Sequence, residues 1–275
     1  MSYLSISTWS LHRLLGPLRF TVWNADTSQH GINLQEQPEV HTLLELPAEA
    51  KRRGYQALEV CHFHFPSVEP DYLEQLRLAF TAAGLSFDTL LLDYGDLTTS
   101  DEARLKADKA FFKQWIDVAA SVGAKQIRIV AGEAAASDKA AMHRSAVELS
   151  EMVSYASKKG VRVITENFRP LTSTGANCVE LLSEVGSELG FITDFGNFKA
   201  PHKYDEFAQT LPYSVSVHAK PHYDAEGIPD AEELIRCLET VREAEFNGAI
   251  VLIYDGPGEM WAGLERVKYI IEPYL

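Results

Sequence analysis

Cysteine is scarce in this chain: its 275 residues include only three, Cys61, Cys178 and Cys237. An odd number with no C-x-x-C spacing argues against a disulfide framework or a structural zinc site and points to a reducing compartment. Basic residues are also in short supply, 25 Lys and Arg against 39 Asp and Glu, for a net charge of −14. That balance repels phosphate backbones and argues against nucleic acid or anionic membranes as partners. No apolar run approaches the ~20 residues of a membrane span. The opening MSYLSISTWSLHR lacks the basic start and apolar core of a signal peptide. The expectation is therefore a soluble, cytoplasmic protein. With 46% hydrophobic residues, a chain of this length buries a core without covalent staples.

What is present is a repeated punctuation mark. A polar, helix-favouring stretch ends near a Gly, and a β-branched or aromatic run follows, at Gly54, Gly84, Gly123, Gly160, Gly190 and Gly248. Gly suits the position past a helix because it enters the left-handed region without steric cost. Pro212 marks a seventh junction, since proline cannot continue a helix. Together with the opening run YLSIS, the pattern predicts eight strands, near residues 3–7, 57–61, 86–92, 126–131, 161–165, 190–193, 214–217 and 249–253. Helices fall between them, most clearly at 69–83, 101–121, 137–159 and 230–244. Strict alternation implies parallel strands with right-handed crossovers. Eight units over residues 1–275 fit one α/β domain, a single (β/α)₈ TIM barrel. A doubly wound sheet is the weaker alternative, because no G-x-G-x-x-G follows the first strand. The stretch 10–46, rich in Asn, Gln and His, reads as an extended irregular loop over the active face.

Side chains at the C-terminal ends of barrel strands converge on one pocket. Polar groups recur there: Glu59, His62 and His64 after strand two, Arg128 and Glu133 on strand four, Glu166 on five, Asp194 on six, and His218, Lys220 and His222 on seven. Alternation along a strand puts Glu166 on the face of Ile164, Asp194 on that of Ile192, and Lys220 on that of His218. His62 falls on the opposite face from the pocket. Two carboxylates and an imidazole suit Mn²⁺, Mg²⁺, Co²⁺ or Zn²⁺. Arg128, inside a barrel strand, needs a partner, either a carboxylate or a substrate. Trp9, His12 and Trp23 are candidates for an aromatic wall.

The ordered set resembles the xylose-isomerase-like TIM barrels, over nearly the whole chain. VITEN carries the strand-five metal Glu as Glu166, ITDFGN matches the strand-six pattern with Asp194 and Asn197, and VSVHAKPH matches strand seven with His218 and Lys220. His64 and Arg128 match the substrate-contacting His of strand two and the Arg of strand four, and His222 lies where members place ligands or substrate contacts. The resemblance implies a divalent metal on Glu166, Asp194 and His218, with Glu166 and Lys220 as catalytic groups. It implies substrate contacts from His64, Arg128, Asn197 and His222. It further implies a small polyhydroxy sugar or sugar phosphate as partner, and it accommodates a homo-oligomer. The activity expected is a sugar (phosphate) isomerase or epimerase working by metal-assisted proton abstraction alpha to a carbonyl. A dehydratase on the same scaffold and a catalytically degenerate carbohydrate-binding barrel are the alternatives. The endonuclease branch ranks last: its zinc site needs further His ligands, and position 197 is Asn.

Strand eight departs from the family. Where the fourth ligand, a Glu, is expected, the run LIYDG puts Ile253. Asp255 shares its parity but lies two residues on, about 6.6 Å along a strand. Two-base epimerisation loses one of its carboxylates, whereas dehydration needs only one placed base. With fewer anionic ligands, the metal is expected to bind weakly or to be absent from the isolated protein. Ile253→Glu should tighten Mn²⁺ binding by roughly tenfold or more, each tenfold being about 1.4 kcal/mol. The new carboxylate should also cost stability without metal. Calorimetric titration measures the affinity; no gain would mean that strand eight faces away from the site or that Asp255 already completes it.

Overall fold

The structure is a computed structural model and describes residues 2–275. Eight parallel strands close into a barrel, β1 (Tyr3–Ser7), β4 (Ala57–Cys61), β5 (Ser86–Leu91), β6 (Gln126–Arg128), β7 (Arg162–Glu166), β8 (Gly190–Asp194), β9 (Ser214–Ala219) and β10 (Ala249–Leu252). Helices alternate with them: α1 (Leu46–Arg52), α2 (Pro70–Ala83), α3 (Glu102–Val122), α4 (Lys139–Ser157), α5 (Gly175–Val185), α6 (Lys203–Thr210), α7 (Ala231–Glu243) and α8 (Met260–Ile271). Each strand therefore returns to its parallel neighbour through a helix, as parallel pairing requires. Among the described residues, no helix is long and apolar enough to cross a membrane.

Gly84 and Gly123 end α2 and α3 in the left-handed region, at φ 58° and 75°. Gly190 and Gly248 serve differently. A Cβ at Gly190 would meet Ile164 Cγ2 at 2.7 Å, and one at Gly248 would meet the Val215 carbonyl oxygen at 2.4 Å. Both let adjacent strands approach rather than cap a helix.

The barrel sorts its side chains by parity. Ile127, Val163, Phe191, Val217 and Ile250 belong to the large core beneath the helices. Ile164 and Ile192 pack with Cys61, Phe63 and Leu91 in a separate inner cluster, and Ala249, Val251 and Ile253 form another. This inner layer is the floor on which the polar strand ends stand. Register aligns them: Asp194 pairs with His218, and Glu166 pairs with Ile192, two residues before Asp194.

The stretch 10–46 is not an irregular loop. It holds an antiparallel hairpin, β2 (Leu18–Asn24) and β3 (Gln29–Gln35), separate from the barrel. The alternation of Leu18 and Phe20 with Arg19 and Thr21 is the strand signal, outweighed in the sequence by the stretch's polar content. Leu18 and Phe20 reach the inner cluster, and His30 Nε2 lies 2.9 Å from Asp108 Oδ1 on α3, tying the hairpin to the helical shell.

Ser10 joins the first strand end to the last, donating from Oγ to the Leu252 carbonyl and accepting from the Tyr254 N–H, both at 2.9 Å. Tyr254 is fully buried against α8, where a Cβ on Gly263 would lie 2.2 Å from its ring. Gly263→Ala should therefore destabilise the protein by about 1–3 kcal/mol, the usual cost of overpacking. Urea unfolding measures this; an unchanged midpoint would mean the ring has room to move.

Candidate active site

Glu166, Asp194 and His218 end three successive strands and converge. One ligand atom from each lies within 4.8 Å of the other two, and all three residues are buried. They line a cavity of about 330 Å³ at the C-terminal mouth of the barrel. Trp9, Phe20, Phe63 and Phe168 supply aromatic wall, and Ile253 stands on the strand-eight side.

Glu59, fully buried on β4, accepts a hydrogen bond from His218 Nε2 at 2.8 Å. A carboxylate only accepts, so Nε2 carries hydrogen and Nδ1 is left facing the cluster. Nδ1 lies 3.4 Å from Asp194 Oδ2 and 3.6 Å from Glu166 Oε1. Burial alone would make His218 less basic, but the Glu59 and Glu166 carboxylates overcome it and hold its pKa well above the ordinary value.

Glu166 sits between two cations. Arg128, only 3% exposed, places Nη1 3.0 Å from Glu166 Oε2 and pairs with Asp93 through Nη2. Asn197 donates to Glu166 Oε1 at 3.2 Å. Burial raises the Glu166 pKa to about 7, against the opposing pull of Arg128 and His218. Asn167 bonds the Asp194 backbone at both its N–H and its carbonyl, and the Gly196 N–H donates to Asp194 Oδ1 at 2.6 Å. Lys220 lines the cavity and pairs with Asp255 at 3.0 Å; burial would lower its pKa, but Asp194 and Asp255 raise it, so it stays a cation.

Not every expected residue arrives. Cys61 and Phe63 face the cavity, which turns His62 and His64 away from it. His64, expected to contact substrate, is buried with Nδ1 2.9 Å from Thr8 Oγ1, because the strand ends at Cys61 and a 3₁₀ turn follows. His62 packs its ring against Phe111 and Trp115. His222, also expected at the substrate, lies 67% exposed in a neighbouring groove, 3.9 Å from Glu233, because it belongs to the loop beyond β9. Asp255 is drawn to Lys220 and stands outside the ligand cluster. Trp9 reaches the cavity with His12 stacked on it at 4.3 Å, whereas Trp23 packs on His30 instead. Asp93 and Arg169, neither anticipated, both line the cavity. Asp93 had a legible signal: it follows the apolar run LLL with the parity of Leu91.

The donor set fits a divalent cation. Two carboxylates and an imidazole with Nδ1 turned toward them converge, with a third carboxylate, Glu59, behind the imidazole, an arrangement common around metal-bound histidine. Glu166 Oε2, ion-paired with Arg128, makes no aligned hydrogen bond. A family model described as xylose isomerase-like TIM barrel matches residues 47–266. The chain belongs to this family. No curated protein matches it by sequence. Among solved structures, this xylose isomerase-like barrel is similar to an L-ribulose 3-epimerase, with TM-score 0.73 and 13% identity over 100% of this chain and 95% of that one. A probable 3-DHS dehydratase from Bacillus anthracis gives TM-score 0.69 and 16% identity, covering 98% of each chain. A xylose isomerase-like TIM barrel protein from Mycobacterium smegmatis, in complex with magnesium, gives TM-score 0.68 and 14% identity over 99% and 96%. At these identities the likeness concerns the fold.

A raised Glu166 pKa carries a definite sign. In the metal-free protein this group's contribution to stability is fully present below about pH 4.5 and lost as pH rises through about 7, because the unfolded chain releases the proton first. Glu166→Gln, neutral at every pH, should remove that slope in urea unfolding from pH 4.5 to 8. Mn²⁺ affinity of the parent protein should rise over the same range, since a ligand must lose its proton. An unaltered pH profile in the variant would place the titration elsewhere.

Proposed function

We propose that the protein is an enzyme of the sugar isomerase/epimerase type that removes a proton alpha to the carbonyl of a small polyhydroxy substrate. The observation that carries this reading is the convergence of Glu166, Asp194 and His218 at the floor of one cavity, with a lysine on its wall. A divalent cation held by these three residues would supply Lewis-acid polarisation of the carbonyl and of the neighbouring hydroxyl.

The chain's own groups do the rest. Glu166 is the base: a buried carboxylate at the cavity floor, it must be ionised both to hold the cation and to take the proton. Asn197 fixes one of its oxygens and Arg128 steadies the other. Lys220, kept protonated by Asp194 and Asp255, donates to the substrate oxygen on which negative charge develops. Trp9 and Phe63, packed edge to face at 6.1 Å, offer an apolar surface to a sugar ring or chain. A cavity of about 330 Å³ lies at the small end of ligand pockets, which suits a single sugar unit.

Ile253 favours a second reading, a dehydratase. Its side chain lines the cavity where a second carboxylate would face the substrate, so Glu166 has no partner base on strand eight. A single base together with the Lys220 ammonium suits abstraction of the alpha proton and loss of a β-hydroxyl as water. The structural neighbours include proteins described as D-psicose 3-epimerase and as a probable 3-DHS dehydratase, one for each reading.

The test is proton exchange. Incubating the protein with Mn²⁺, D₂O and a panel of ketoses and keto-acids should give deuterium at one alpha carbon by NMR. Epimerisation then appears as a new diastereomer, dehydration as a new olefinic signal. Glu166→Gln should lower the exchange rate by about 10²–10⁴, the usual worth of a general base. Absence of exchange across the panel, with retained sugar binding, would identify a non-catalytic carbohydrate-binding barrel.

A further inference from the structure

Just beyond each of the three converging residues, the chain places a hydrogen-bond donor. Arg169 follows Glu166 by three positions, Asn197 follows Asp194 by three, and Lys220 follows His218 by two. All three line the same cavity. The two cations are held in place but not used up. Arg169 donates from Nη2 to the Asp93 carbonyl at 3.0 Å and places Nε 3.4 Å from Glu133 Oε1 without hydrogen-bond alignment; its side chain is 34% exposed. Its guanidinium lies 4.6 Å from the Phe168 ring, where Arg128 also lies at 4.7 Å. The Lys220 stem crosses Gly196 so closely that a Cβ there would meet Lys220 Cδ at 3.0 Å and Asp194 Oδ1 at 3.2 Å. The Lys220 ammonium has one ion pair, with Asp255, and three N–H bonds to give.

A neutral sugar would engage one N–H of Lys220 at the oxygen where charge develops and would leave the remaining Lys220 N–H bonds and the Arg169 guanidinium without a substrate partner. We propose that the substrate is an acid, a small polyhydroxy carboxylate, whose carboxylate is taken between Arg169 and Lys220 at the cavity mouth while its hydroxyl and carbonyl oxygens point toward Glu166, Asp194 and His218. This rests on the proposed function for the reacting end, and it adds the substrate class. Arg169 and Lys220 are then specificity-determining groups: a planar guanidinium fork and a mobile ammonium share the two carboxylate oxygens.

The experiment compares matched pairs that differ only in the acid group, five- and six-carbon aldonates against the corresponding alditols, by calorimetry on the purified protein with Mg²⁺ present. The acids should bind at least tenfold more tightly. Arg169→Met and Lys220→Met should each remove most of that preference, and Arg169→Lys should restore part of it. Equal affinity for acids and alditols, failure of every acid to bind, or a preference untouched by both Met variants would overturn the proposal. Sugar phosphates binding more tightly than every aldonate would overturn the carboxylate assignment. Because binding is read without turnover, this outcome is independent of the proton-exchange test: acid preference without exchange sinks the enzymatic reading alone, and exchange on neutral ketoses without acid preference sinks this one alone.

Discussion

Arg128 and His218 are both buried, both cationic in the metal-free protein, and both lean on Glu166. The rest of the site depends on that shared carboxylate. An unpaired charge in a barrel interior costs several kcal/mol or is discharged by a shift in pKa. The strand ends meet this constraint with a chain of alternating sign, Asp93 to Arg128 to Glu166 to His218 to Glu59, each link made between different strands or the loops directly after them. Removing any member leaves its neighbour exposed to the full desolvation cost. The same chain orients Glu166 and keeps His218 Nε2–H on Glu59 with Nδ1 toward the cluster, so what keeps the fold tolerable electrostatically also orients the candidate ligands.

Charge is unevenly spread around the cavity. Carboxylates and imidazole occupy the arc formed by β7, β8 and β9, with Asp93 and Arg128 beside them, while the β10 side presents Ile253 above Val251 and Ala249. A substrate would meet polar groups on one face and hydrocarbon on the other. Such a site would bind and deprotonate from one side. Addition of a proton from the opposite face would need a donor that Ile253 does not supply. The asymmetry bears on reaction outcome more directly than overall resemblance does, because solved structures of epimerases and of a dehydratase match this fold about equally well.

Much of this was legible beforehand, for physical reasons that also mark the limit. The barrel announced itself because eight apolar runs alternate with helix-favouring stretches, and the observed strands begin and end within about three residues of the expected ones. Glu166, Asp194 and His218 were legible because strand parity is strict where pairing is regular. His64 shares the parity of His62, and that alternation carried past the end of β4 brings Cys61 and Phe63 into the cavity; expecting His64 at the substrate followed the family resemblance against that period. Arg169 and His222 sit on loops, whose paths are set by packing and not by any local period. The hairpin was hidden for a related reason: outside the barrel, it leaves Ile32 and Leu34 exposed on one face and Val22 exposed on the other, which blurs the alternation.

The division between strand ends and loops has a functional consequence. Groups that must be placed to within tenths of an ångström, the candidate base and its companions, stand on β7, β8 and β9, where backbone ladders and Asn167 hold them. Groups that would choose among substrates, Arg169 and Lys220, stand three and two residues further out on connecting segments. Loop substitutions can alter which acid or sugar enters without disturbing the buried charge chain beneath, since backbone on loops tolerates change that ladder positions do not. Phe20 extends this arrangement to the hairpin, reaching the cavity from an element that the barrel itself does not require. Its ring lies 4.9 Å from that of Phe63, so the hairpin's position and the aromatic wall of the cavity are coupled. A shift of the hairpin would therefore reshape the apolar side of the site while leaving Glu166, Asp194 and His218 where the strands put them.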